Sequence, residues 1–163
     1  ALIHEAAVNC HAVHLLGCTL LVMVADAHKV FCGQLGDGYC VRGDGENTYQ
    51  LLIDPVDLGA ANLTHTLCDP SFREHIRSVS GEAPLRIALL TDGLDMHTFD
   101  HEAGAIYGAF FDALFPHLEA NNAQVEQLNT RLAAYLNSAA VAALCRDDKT
   151  LLLATRAFDR ASP

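Results

Sequence analysis

Leu85-Arg86-Ile87-Ala88-Leu89-Leu90-Thr91-Asp92-Gly93-Leu94-Asp95 opens as an apolar run of strand length and ends on two carboxylates. Turn-forming composition bounds the run on both sides, Ser80-Gly81-Glu82-Ala83-Pro84 before it and Asp92-Gly93 after it, which is the pattern of a buried strand. A carboxylate at the end of a strand is placed by a stiff element, and a neighbouring glycine lets backbone pass close to whatever the carboxylate holds.

Two other strands end in the same way. Lys29 to Leu35 runs into Gly36-Asp37-Gly38, and Asp147-Asp148 immediately precedes the strand pattern of Lys149 to Thr155. Asp-Gly is also a common turn composition, so each cluster alone reads equally as a turn former. Taken together, several carboxylates at strand ends repel one another unless a cation sits among them or protons are shared. Asp37, Asp92, Asp95 and Asp147 are therefore candidate metal ligands, with Gly36, Gly38, Gly93 and Asp148 shaping the site.

Outward from these points the chain divides by period. Residues 1–16 carry no Gly or Pro and suit the tail of a helix; residues 17–92 read as a strand meander. Within it, Cys18 to Ala25, Lys29 to Leu35, Tyr39 to Arg42 and Thr48 to Ile53 are strands, with weaker candidates at Leu63 to Leu67 and Phe72 to Val79. Residues 101–140 switch to helical spacing, first through Ala105, Ile106, Ala109, Phe110, Ala113 and Leu114. Pro116 should kink or end that helix. Val125, Leu128, Leu132, Tyr135 and Leu136 mark a second helix, and residues 149–156 a final strand. Strands, then helices, then a strand predict an α+β fold with a largely antiparallel sheet.

Composition bounds the function. The 163 residues, 51% hydrophobic and 18% charged, suit one globular domain. Twenty acidic against ten basic side chains give a formal charge of −10, which argues against nucleic acid as a partner because phosphate contacts need clustered Lys and Arg. Thirteen of the acids are Asp, the ligand type favoured by hard divalent cations. No stretch near the start reaches the ~20 apolar residues of a membrane span, and none reads as a secretory signal. The chain opens on Ala1 without Met, which fits an excerpt or a processed chain. Cys10, Cys18, Cys32, Cys40, Cys68 and Cys145 form no C-x-x-C pair, and several lie in apolar runs. They read as reduced, buried thiols of a cytoplasmic protein with no disulfide. Cys10, His11, His14 and Cys18, or His97 with His101, do not by spacing alone supply four zinc ligands.

The motifs, in order, resemble the metal-dependent serine/threonine protein phosphatases of type 2C, and most of all their bacterial subgroup. The pieces that carry the resemblance are Gly17-Cys18-Thr19, Gly36-Asp37-Gly38, Ala61-Asn62-Leu63-Thr64, Thr91-Asp92-Gly93-Leu94-Asp95 and Asp147-Asp148-Lys149-Thr150. The resemblance runs from about Gly17 to Thr155 and implies a β-sandwich flanked by helices, in an α-β-β-α arrangement. By motif, Asp92 and Asp147 match ligands of one metal of a binuclear centre, and Asp37 and Asp95 match positions that join Asp92 in an accessory site. It further implies Mn2+ or Mg2+ as cofactor, a phosphorylated protein as substrate, room for a partner kinase, and attack on phosphorus by water that the metals activate.

The family's N-terminal motifs, a Glu-Asp pair, Asp-Gly-x-Gly-Gly and a phosphate-holding Arg, do not occur in residues 1–163, which contain no Gly-Gly. The expectation is therefore the C-terminal portion of a phosphatase domain that lacks its N-terminal strands, inactive by itself and prone to self-association through exposed sheet edges. The rival reading is a non-catalytic regulatory or interaction module on the same fold. An Asp-Gly-x-Gly-Gly shortly upstream of Ala1 would decide for the enzyme. A carboxylate-clustered nuclease is disfavoured by the acidic pI of about 5.1.

Overall fold

The computed structural model describes residues 16–55, 64–120 and 124–156, so the expected helix tail over residues 1–16 lies almost wholly outside the described residues. The fold is α+β, with antiparallel sheets flanked by helices. One sheet has the order β1-β2-β5, formed by Leu20–Ala25, Lys29–Leu35 and Arg77–Glu82. The second has the order β4-β3-β6-β9, formed by Tyr49–Leu51, Tyr39–Gly43, Arg86–Leu90 and Leu151–Thr155. A short ribbon pairs β7 (Phe99–Asp100) with β8 (Ala105–Ile106). The helices are α1 (Asp95–Thr98), α2 (Gly108–Asp112), α3 (Phe115–Ala120), α4 (Val125–Leu136) and α5 (Ala139–Ala142).

The residues expected to form one meander alternate between two sheets. After the β1-β2 hairpin the chain crosses at Gly36-Asp37-Gly38 into the other sheet, forms the β3-β4 hairpin, returns as β5 and crosses again to β6. The β2–β3 crossing lies at the end of the fold where β6 finishes and β9 begins, and this gathers the acidic turns, whereas the β5–β6 crossing lies at the opposite end, where Glu82 pairs with Lys29 and Arg86 with Gly43. The first hairpin is closed by Asp26, whose Oδ1 accepts the backbone N–H groups of His28 and Lys29, each at 2.7 Å.

One face of the second sheet packs on the helices. Tyr39, Val41, Tyr49, Ala88 and Leu90 meet Leu94, Phe111, Phe115 and Val141 in a single buried cluster, with the Tyr49 and Phe111 rings 5.1 Å apart. Arg86 closes its margin, donating to both oxygens of Glu119 (2.7 and 3.0 Å) and to the Tyr49 hydroxyl (2.7 Å). Strand alternation sends Val30 and Cys32 of the first sheet inward, whereas Val24 and Phe31, paired in register, face outward at 63% and 43% exposure.

Several local readings change. Ala105 and Ile106 belong to the β7-β8 ribbon and not to a helix, because Asp100 Oδ1 captures the backbone N–H groups of Glu102 and Ala103 and Gly104 turns the chain at φ +62°. The helix through Ala109 and Phe110 ends at Asp112, ahead of Pro116, and Pro116 itself falls in the first turn of a new helix, α3, where its missing N–H costs nothing. Phe72–Glu74 is a 3-10 turn, and Ser80-Gly81-Glu82, expected as a turn, is the end of β5, held by pairing with Phe31, Val30 and Lys29. Leu63 lies outside the described residues, and residues 64–66 form no strand. Among the described residues no helix is long and apolar enough to cross a membrane.

Candidate metal centre

Asp37 stands on the crossing between β2 and β3. Gly36 there adopts φ +102°, a conformation open to glycine, and a Cβ on it would lie 2.3 Å from Thr19 Cγ2. The fragments Gly17-Cys18-Thr19 and Gly36-Asp37-Gly38 are thus in contact. Gln34 pins the turn from below, its Nε2 donating to the carbonyls of Gly36 (3.1 Å) and Gly38 (2.5 Å). Thr64 donates its hydroxyl to Asp37 Oδ2 at 2.6 Å.

Asp92 leaves the end of β6 in a 3-10 turn, beside the start of β9. Thr91 ties the two strands: its N–H donates to Thr150 O (3.2 Å), its Oγ1 accepts from Thr150 N (3.0 Å), and its hydroxyl donates to Asp148 O (3.3 Å). Gly93 is required by close approach, since a Cβ would sit 2.2 Å from Asp148 O. Asp148 therefore acts on the site through its backbone carbonyl. Asp147 caps the next peptide, Oδ1 accepting from Asp148 N at 2.8 Å.

These placements put Asp92 in the field of two other carboxylates, Asp37 and Asp147. The Asp92 residue is solvent-exposed as a whole, yet its carboxyl is pushed above the usual range, first by loss of solvation and then by the negative charges of Asp37 and Asp147; the N–H of Gly93 acts in the opposite direction. Among the described residues none of the three is ion-paired to Lys or Arg. Hard oxygen donors carrying unbalanced charge fit a divalent cation, although among the described residues no group of three or more His, Cys, Asp or Glu side chains is placed to hold a metal ion.

Asp95, at the start of α1, is differently placed. Tyr39 donates its hydroxyl to Oδ1 at 2.7 Å, and His101 Nε2 lies 2.6 Å from Oδ2. A cation taking Asp95 must share an oxygen with one of these partners. The Tyr39 hydroxyl is held far above its ordinary value by burial, by the Asp95 hydrogen bond and by the charges of Asp95, Asp92 and Asp37. Its phenol thus lies in the field of three of the four candidate aspartates. Replacing Tyr39 with Phe removes a hydrogen bond to a charged group, and a loss of about 1.5 kcal/mol is expected in urea unfolding; an unchanged midpoint would mean that the contact contributes nothing.

A cavity of about 630 Å³ adjoins Asp37, lined among others by Gln34, Tyr39, His65, Arg77 and His101. Arg77 is committed to structure, donating to the carbonyls of Asp54 and, at 3.3 Å, Gly36. A larger cavity, about 740 Å³, lies between α3, α4 and β9 and is lined mainly by leucines; none of the four candidate aspartates lines it, and of the four only Asp37 lines the smaller one.

A sequence profile described as protein phosphatase 2C matches residues 2–137. The chain belongs to the protein phosphatase 2C family. It is 29% identical over 145 residues to serine/threonine-protein phosphatase 3 of Escherichia coli (strain K12), an overlap covering 88% of this chain and 57% of that protein. The chain thus spans just over half the length of the curated relative it matches. No solved structure matches. Sequence reasoning did not single out Tyr39 and His101 as partners of Asp95, because those contacts are fixed only by the tertiary fold.

Proposed function

We propose that the intact protein is a metal-dependent phosphoserine/phosphothreonine protein phosphatase, and that Asp92, Asp147, Asp37 and Asp95 are carboxylate ligands for Mn2+ or Mg2+. The observation that carries this reading is that Asp92 lies in the field of Asp37 and Asp147, the three coming from separate strand ends, in a chain of the phosphatase 2C family. A divalent cation bound there supplies positive charge for phosphoryl oxygens and lowers the pKa of water. The protein's own groups do the positioning: Gln34 and Thr64 hold the Asp37 turn, Thr91 sets Asp92 against Asp147, and Tyr39 with His101 fixes Asp95.

The substrate in this reading is a phosphorylated protein, with a kinase as functional counterpart, in the cytoplasm, whose reducing poise suits free thiols. Residues 1–163 are read as an incomplete domain, with the remaining metal and phosphate-binding motifs contributed by further sequence. The test is Mn2+-dependent phosphate release from a phosphopeptide by the full-length natural protein. Absence of release at saturating Mn2+ would reject the enzyme. Residues 1–163 alone should show negligible turnover, and robust turnover would overturn the incomplete-domain reading.

Self-association of this portion is part of the proposal. Leu20, Val22, Val24 and Phe31 are 37–63% exposed on the outer face of the first sheet, and β9 is an edge strand carrying Leu152 at 52% exposure. Light scattering on residues 1–163 is expected to give a mass above that of a monomer. A monodisperse monomer would contradict it.

A further inference from the structure

Residues 64–76 lead into β5 and belong to neither sheet, and the proposed reaction uses only Thr64 from them. The ends of this segment are closed by two half-buried imidazoles. The rings of His65 and His75 lie face to face, with centroids 3.4 Å apart and planes 8° from parallel. His65 Nδ1 stands 3.4 Å from Asp69 Oδ2, and the same oxygen accepts the Thr66 N–H at 2.7 Å. His75 ends the 3-10 turn of Phe72–Glu74, its N–H donating to Phe72 O at 3.1 Å. The stack therefore closes a loop whose two ends both hold the Asp37 turn. Beside His65, Thr64 donates to Asp37 Oδ2 at 2.6 Å; beyond His75, Arg77 donates to Gly36 O at 3.3 Å. Both rings line the cavity that adjoins Asp37. Leu67 N ties the segment to Cys18 O at 2.9 Å, and Cys18 is exposed, against the expectation that all six cysteines are buried thiols.

We propose that His65 and His75 are positioning residues for Asp37 and form a proton-operated latch: with at most one ring protonated the stack stays closed and Thr64 stays on Asp37, and with both protonated the rings part and draw Thr64 away. Histidine is the side chain whose charge ordinarily changes between about pH 5 and 8. A protonated ring over a neutral one is attracted to its π face. Two protonated rings at this separation set like charges face to face, and the repulsion is relieved only by separation or by loss of a proton.

The charges around the pair fix the order of protonation. Asp69 favours the first proton on His65. The second, on His75, then meets that charge together with those of Arg77 and His101 on the wall of the same cavity. Glu74 acts in the opposite direction but is exposed, where water and salt screen it. Arg73 is held over the Phe72 ring, 5.6 Å from its centroid, and Asp37 already accepts from Thr64. Opening the latch removes that last hydrogen bond, so acid loosens the turn that presents Asp37. The consequence for cation binding rests on the proposed function; the latch itself does not.

The latch is read in metal-free full-length protein by amide exchange over residues 64–69, corrected for the intrinsic pH dependence of exchange, with residues 86–90 of β6 as reference. Local opening is expected to rise about fivefold from about pH 7.5 to 5.5, with no matching rise in β6. His75→Phe keeps a ring against His65 but takes up no proton, so its opening should be the same at both pH values. His75→Ala removes the stack and should be open already at the higher pH. Opening that ignores pH in the parent would overturn the proposal, as would an equal rise in β6 or in His75→Phe, or an alanine variant as closed as the parent. A second measurement needs no variant: the ring resonances of His65 and His75 should titrate in two coupled steps, and independent single-step titrations would also overturn the latch. None of these readouts involves metal or phosphate release, so failure of the phosphatase assay leaves them unaffected.

Discussion

Full-length protein carrying Asp92→Asn is expected to lose Mn2+-dependent phosphate release by about 10²–10³-fold, the equivalent of several kcal/mol of cation-derived stabilisation. The change keeps the shape of the side chain and removes the charge that Asp37 and Asp147 both feel. Asp147→Asn should fall by a similar factor, since it contributes to the same cluster from β9. Activity surviving in both variants would sink the assignment of these carboxylates.

The same substitution has a second readout with the opposite sign. The Asp92 carboxyl is raised in the fold relative to the unfolded chain. Its contribution to metal-free stability is therefore fully present below the ordinary carboxylate range, and it is lost as pH rises through the raised value. At neutral pH without divalent cation, Asp92→Asn should thus raise the melting temperature while abolishing the further rise that Mn2+ produces in the parent. A variant that melts lower without metal would mean that Asp92 serves packing and not charge.

Gly93→Ala is expected to cost about 3 kcal/mol of stability, at the upper end of overpacking effects. The added methyl would lie 2.2 Å from the carbonyl oxygen of Asp148 and 3.3 Å from Lys149 Cγ. A backbone atom cannot yield as a side-chain tip can, so the start of β9 must move, and Asp147 moves with it. Activity should consequently fall further than stability alone predicts. Gly81→Ala is the control: it lies within β5, nothing stands within 4 Å of its Cβ, and replacing a mid-strand glycine there should gain about 0.5 kcal/mol. Equal urea midpoints for the two variants would rule out the close approach as the reason for glycine at 93.

Local patterns were legible where local physics governs. The strand Lys29–Leu35, the strand Arg86–Leu90 and the helix Val125–Leu136 follow from apolar period and flanking breakers. The Asp26 hairpin follows from its turn chemistry. The reading failed where a non-local partner overrode local preference. Ser80-Gly81-Glu82 has turn composition, yet β2 recruits it into a strand. Ala105 and Ile106 match a helical period, yet the Asp100 turn and Gly104 fold them back onto Phe99.

The sequence by itself determined the α+β class, the acidic strand ends, and the order of motifs by which the chain resembles the phosphatase 2C family, because strand length, turn composition and motif order are properties of neighbours along the chain. Only the tertiary structure decided that Asp92 lies in the field of Asp37 and Asp147 and that Asp95 is held by Tyr39 and His101. The first depends on the crossing from β2 to β3 at Asp37, and the second on the pairing of β3 with β6, which sets Tyr39 beside Leu90. A one-dimensional pattern does not encode that crossing; the pairing registers of β2 with β5 and of β3 with β6 do.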